Sequence, residues 1–173
     1  MISLEGFFRT AKRYWYRYVV ISLLLSLIAG IWLEWRQEQT LAVTRLEENY
    51  ESVKTDQIKW LNLSSVVVSD AARSGAAYPD RQSLMPLYDA VKQTLDQMTS
   101  FYAPTGTIEE SAKSYRDALQ DVAGAINQFQ SNDESMKRLL DSLQVAANVG
   151  GELNADVDKY RTEAWRSFFS VIL

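Results

Sequence analysis

The chain reads as all-α, and three observations predict it. Only three prolines and seven glycines occur in 173 residues, and they fall largely where helical periodicity stops. Between them apolar residues recur at spacings of three and four, the seam of a helix packed on helices. One uncharged run, Tyr18 to Leu33, reads with its aromatic flanks as a transmembrane helix. The expected architecture is a single N-terminal transmembrane helix continuing into an extracytoplasmic, antiparallel, up-down four-helix bundle. Its long first and fourth helices would form a membrane-proximal stalk.

The apolar run (YVVISLLLSLIAGIWL) occurs once and separates a basic N-terminus from an acidic remainder. Sixteen residues cover roughly 24 Å, short of a hydrocarbon core of about 30 Å. Trp15 and Tyr16 before it and Trp35 after it supply interfacial aromatics that complete a span. Arg9, Lys12, Arg13 and Arg17 precede it against Glu5 alone, while Glu34, Glu38, Glu47 and Glu48 come early beyond it, so the N-terminus is expected to be cytoplasmic. A cleaved signal peptide is disfavoured: Leu27-Ile28-Ala29 lacks the small residue required two positions before the last. The expected domains are a cytoplasmic basic segment (1–17), a signal-anchor helix (18–35) and a periplasmic helical part (36–173). This is the layout of a single-pass protein of a bacterial inner membrane.

Composition removes whole classes of function. With no Cys and no His, thiol nucleophiles, disulfides, haem through axial His, structural zinc and imidazole acid–base catalysis are excluded. The first 33 residues carry +3 of a total of −4, leaving about −7 for the 140 that follow, an acidic balance unsuited to nucleic acid. Carboxylates such as Asp117/Asp121 or Glu47/Glu48/Glu51 read as solvated helix surface. No enzyme, no cofactor and no metal are expected.

The first helix should leave the membrane without a break, with Leu46, Tyr50, Val53, Gln57, Trp60, Ser64, Val67 and Ala71 on its seam and Gly75 to Asp80 ending it. A second, opened by Ser83 with Pro86 in its first turn, carries Leu84, Leu87, Tyr88, Val91, Leu95, Met98 and Phe101. Ala103-Pro104-Thr105-Gly106 closes it. Thr107-Ile108-Glu109-Glu110 fits a capping box for a third helix bearing Ile108, Ala112, Tyr115, Leu119, Val122, Ile126 and Phe129. Ser131-Asn132-Asp133-Glu134 repeats the box and opens a fourth, with Met136, Leu139, Leu140, Leu143, Ala146, Ala147, Leu153, Val157, Tyr160, Ala164, Phe168 and Ile172. Gly150-Gly151 should mark a kink, a short break or a close helix crossing, since each glycine costs about 1 kcal/mol relative to alanine inside a helix.

Beyond the span, the first and fourth segments hold about forty residues, on the order of 60 Å, and the second and third about twenty to twenty-four, roughly 30 to 36 Å. Up-down order then returns the apolar tail Trp165 to Leu173 to the bilayer surface. This layout, from Tyr18 to about Phe169, resembles the periplasmic four-helix sensor modules of bacterial chemoreceptors and sensor kinases. Those carry a second span and a cytoplasmic output region, whereas this chain stops where a second span would begin. The single span with a helical domain also resembles small anchored helical-bundle proteins of the LemA type.

Candidate functional residues fall into three groups. Ser22, Ser26, Ala29 and Gly30 form a small-residue stripe on which another transmembrane helix, or a second copy, could pack closely. Arg9, Lys12, Arg13, Trp15 and Arg17 would anchor the N-terminal segment in the cytoplasmic headgroup layer. Trp165, Phe168, Phe169 and Ile172 would meet the membrane surface or a partner. Gln57 and Ser64 interrupt the first seam, where they would pair across the bundle, specify register or line a solvated rim. Trp60 and Tyr115 read as core packing rather than a ligand cage. The expected role is a non-enzymatic accessory or scaffold subunit held by lipid and by other membrane proteins; the alternative is a sensory input module binding a ligand between helices.

Overall fold

The computed structural model describes the backbone of residues 4–73 and 78–170, and side chains at 15, 17, 19–69 and 78–166. Four α-helices follow in order: α1 (Leu4–Arg73), α2 (Arg81–Thr99), α3 (Gly106–Asn127) and α4 (Asp133–Ser170), with no strand among the described residues. The chain divides into two compact units, Met1–Leu41 and Ala42–Leu173.

In the first unit the chain is helical from Leu4 onward, as the unbroken exit from the apolar run anticipates. Its apolar side chains point outward: Leu23, Leu25, Leu27, Ile28 and Ile31 are each more than half exposed. The helix holds together here because past its first turn the backbone N–H and C=O groups pair within it, the condition for a segment that meets hydrocarbon.

In the second unit all four helices contribute to one core. From α1 come Leu46, Tyr50, Val53, Trp60 and Val67, all buried where the three–four spacing places them. Ala71 lies outside the described residues. From α2, Leu84, Leu87, Val91 and Met98 are buried, joined by Ala90 and Thr94, which the apolar pattern does not single out. Thr94 tolerates burial because its hydroxyl donates to the Ala90 carbonyl at 3.0 Å. All seven expected residues of α3 and its C-terminal flank are buried. On α4, Leu139, Leu143, Ala146, Leu153 and Val157 are buried, but Leu140 is 40% exposed and stands off the core face.

Polar bonds fix which turns face each other. Arg161 lies 3.6 Å from Glu47 and Asn154 donates to Gln57 at 3.3 Å, so rising α1 numbers meet falling α4 numbers. Arg116 donates to the Met98 carbonyl at 3.1 Å and Asn127 to the Tyr88 hydroxyl at 3.4 Å, giving α2 and α3 the same opposed order. Ser111 donates to Asp156, and Arg138 to Gln128 at 3.0 Å, repeating it for α3 and α4. Lys59 reaches Gln93 on α2 at 3.2 Å.

The helix starts differ from those read off the sequence. α2 begins at Arg81 after Asp80, so Ser83 lies inside the first turn, its hydroxyl donating to the Asp80 carbonyl at 2.6 Å. Pro86 is therefore the sixth helical residue, beyond the first turn, and leaves the carbonyl of Gln82 without its usual donor. α3 is capped by Thr105, whose hydroxyl accepts from Ile108 N at 3.4 Å; Thr107 is already helical and no Thr107/Glu110 box forms. α4 is capped by Asn132, whose Oδ1 accepts from Ser135 N at 2.8 Å, in place of Ser131. At α3 and α4 another residue just outside the helix takes the orphan donor: Asn is at least the equal of Ser as a cap, and Thr105 adopts the extended backbone that a cap requires.

Candidate functional site

Two regions carry the features that sequence reading singled out, one in each unit. In the first, α1 holds near the N-terminus a window long and apolar enough to cross a membrane, with mean hydropathy 1.7 and no part of it buried. Ser22, Ser26, Ala29 and Gly30 are all exposed on it. Gly30 has no atom within 4 Å of where a Cβ would stand, so the stripe is open to whatever approaches it. The Ser22 hydroxyl donates to the Val19 carbonyl at 3.0 Å, which removes its cost in an apolar medium. At the far end of the run the Arg36 guanidinium lies 5.0 Å from the centre of the Trp32 ring, a cation–π pair of the kind that sits where hydrocarbon gives way to headgroups. Trp15 and Arg17 are exposed; the side chains of Arg9, Lys12 and Arg13 lie outside the described residues.

The second region is a polar layer inside the core of Ala42–Leu173. Three and four residue steps put Asp56, Gln57 and Trp60 on the buried side of α1, at 6%, 5% and 0% exposure. Trp60 Nε1 donates to the Tyr115 hydroxyl at 3.1 Å, joining α1 to α3. Gln57 Oε1 accepts from Asn154, joining α1 to α4. Gly150 permits that approach: a Cβ there would stand 2.5 Å from Gln57 Nε2 and 2.9 Å from the Tyr115 ring. Of the expectations for Gly150-Gly151, the short break does not occur, since α4 continues through both, and the close crossing is present at Gly150. Ser64 is only partly buried and donates to its own helix at Leu61, so it does not cross.

Burial pushes the Tyr115 hydroxyl far above its ordinary pKa, its bond with Trp60 opposing and the Asp56 carboxylate adding to the rise. Tyr50, a few turns away, is pushed up to about 12 by burial and then by Asp158 and Glu51, with Arg161 opposing. Both tyrosines are neutral at any physiological pH and cannot serve as bases there. Asp56 is the residue that sequence reading missed. It occupies a position three before Lys59 and four before Trp60, and only the i±4 relation to Trp60 could have marked it as inward-facing.

Of the tail residues, Trp165 is 48% exposed near the Ala42 end of the unit, one turn beyond the Arg161–Glu47 pair. The side chains of Phe168 and Phe169, and Ile172 altogether, lie outside the described residues.

Comparison with protein families, curated proteins and solved structures finds no match to this chain. The class is defined by its own features: an all-helical protein whose long N-terminal helix is apolar enough to span a membrane.

Proposed function

We propose that the protein is a non-enzymatic, single-pass membrane subunit, N-terminus cytoplasmic and bulk exported, that holds other membrane proteins through its span and its exposed tail. Its exported part is an up-down antiparallel four-helix bundle, the topology that the opposed pairings of α1 with α4, α2 with α3 and α3 with α4 favour. One observation carries the reading: the run from Val19 to Leu33 exposes nearly every large apolar side chain in one unbroken stretch, whereas in Ala42–Leu173 most large apolar residues are packed into the core and the exposed ones, such as Ile58, Met85 and Val145, are scattered. Such a surface is unfavourable in water, at about 25 cal/mol per Å² of apolar area, and needs lipid or protein to cover it.

A sensory role would require a ligand to enter between the helices. Trp60, Tyr50 and Tyr115 are 0 to 1% exposed, which supports packing over reception at their level of the interior. The inner membrane of a bacterium is the compartment that the cysteine-free composition and basic N-terminal flank suit best.

Single cysteines at positions 3 and 131 test the topology by impermeant labelling of intact cells. Labelling at 131 alone is expected; labelling at 3 alone overturns it. Extraction in mild detergent should then recover a defined complex rather than the chain alone.

A further inference from the structure

The bond from Trp60 to Tyr115 is one-sided. An indole N–H can only donate, so the tyrosine oxygen is used as acceptor and its own O–H proton still needs a destination. Asp56, one helical turn from Trp60 on the same buried face, has the opposite need: its Oδ2 is buried and accepts from no protein donor. The Trp60–Tyr115 bond brings that hydroxyl to the buried face of α1 that also carries Asp56, and the carboxylate acts on it electrostatically.

A third group shares the layer. The Lys59–Gln93 bond sets the facing turns of α1 and α2, which are joined by a short connection and so run in opposite directions. One turn further along, Asp56 therefore faces Gln97, whose Oε1 is also buried without a donor. Arg116 Nε is a further buried donor without a partner, on a guanidinium that bonds the Met98 carbonyl. Apart from it, the one hydroxyl seeking an acceptor and the two oxygens seeking donors are the complement of one water molecule, internal waters making about three such bonds.

We propose that a single internal water binds here, accepting from the Tyr115 hydroxyl and donating to Asp56 Oδ2 and Gln97 Oε1. With the Gln57–Asn154 bond beside it, residues 56 to 60 then key α1 to α2, α3 and α4 at one level. Sliding α1 by a turn would unpair all of them together, so the layer sets register where apolar packing alone would tolerate a shift.

The test is a double-mutant cycle on the full chain in detergent, read by denaturant unfolding. Tyr115→Phe should lower the folding equilibrium constant in the parent, and the penalty should shrink at least about threefold in an Asp56→Leu background. If Asp56→Leu fails to fold, Gln97→Leu takes its place in the cycle. Equal penalties in both backgrounds overturn the proposal. A crystal structure of the full chain showing ordered water should place one within hydrogen-bond distance of all three groups; a direct Tyr115–Asp56 bond with no water between them overturns it equally.

Discussion

Gly150 of α4 lies against Gln57 of α1 so closely that a Cβ at position 150 would stand 2.5 Å from the Gln57 amide nitrogen. Its neighbour Gly151 has nothing within 4 Å of the same point. Two adjacent glycines in one helix therefore differ in kind. The first is required by a helix crossing, while the second is only a helix-weakening residue.

Gly151→Ala should stabilise the protein by about 0.5 to 1 kcal/mol, the helix-propensity gain alone. Gly150→Ala should instead destabilise it by about 1 to 2 kcal/mol, because the methyl must displace the Gln57 amide and press on the fully buried Tyr115 ring, a cost greater than the propensity gain. Chemical denaturation of the two single variants checks this. Equal, stabilising effects would show that the helices do not cross at Gly150.

Alkaline unfolding should begin near pH 10 and deepen towards pH 12. Tyr50 has a folded-state pKa of about 12 against 10 when unfolded, so above pH 10 the unfolded chain sheds a proton that the folded chain keeps. Stability from this group is complete below pH 10 and is lost as pH rises through the folded value. Tyr50→Phe should blunt the alkaline loss and cost little at neutral pH, since the hydroxyl it removes is buried without a partner. Circular dichroism across pH 8 to about 12 decides it, with an unchanged profile as the adverse result.

The helix caps give a paired test. Thr105→Ala and Asn132→Ala should each cost about 1 kcal/mol, because each side chain accepts a backbone N–H at the start of its helix. Thr107→Ala and Ser131→Ala should change stability by less than about 0.5 kcal/mol. The reverse ranking would restore the capping boxes at Thr107 and Ser131.

For the span, Ser26→Leu with Gly30→Leu should keep the segment insertable while closing the small-residue face. Both positions are exposed, so the double variant should fold and reach the membrane as the parent does. Crosslinking to a neighbour in the membrane should fall several-fold. Unchanged crosslinking would make the stripe a lipid-facing surface.

The core was largely legible because burial on a helix follows a simple period. The seams of α1 and α3 recover most of the residues that these helices bury, from Leu46 to Val67 and from Ile108 to Ile126. Legibility fails in three ways, the first being that Ala90, Thr94, Ala118 and Ala125 are buried without being marked by the large apolar pattern. Helix starts shift by one to three residues where two capping residues stand close together, since Asp80 and Ser83, Thr105 and Thr107, or Ser131 and Asn132 are near-equivalent in sequence and only backbone geometry chooses. Asp56 was passed over because a carboxylate reads as surface until its neighbours are known.

What the residues alone determined is therefore what depends on local periodicity and composition: four helices, one apolar segment long enough to cross a membrane, and the exclusion of thiol and imidazole chemistry. Only the tertiary structure decided which polar groups meet inside the core. Gln57 finds Asn154 across 97 positions and Trp60 finds Tyr115 across 55, and neither partner is implied by the other's local sequence. The reason is that hydrophobic spacing says which face of a helix turns inward, whereas the height at which two inward faces meet is set by the packing of all the helices at once.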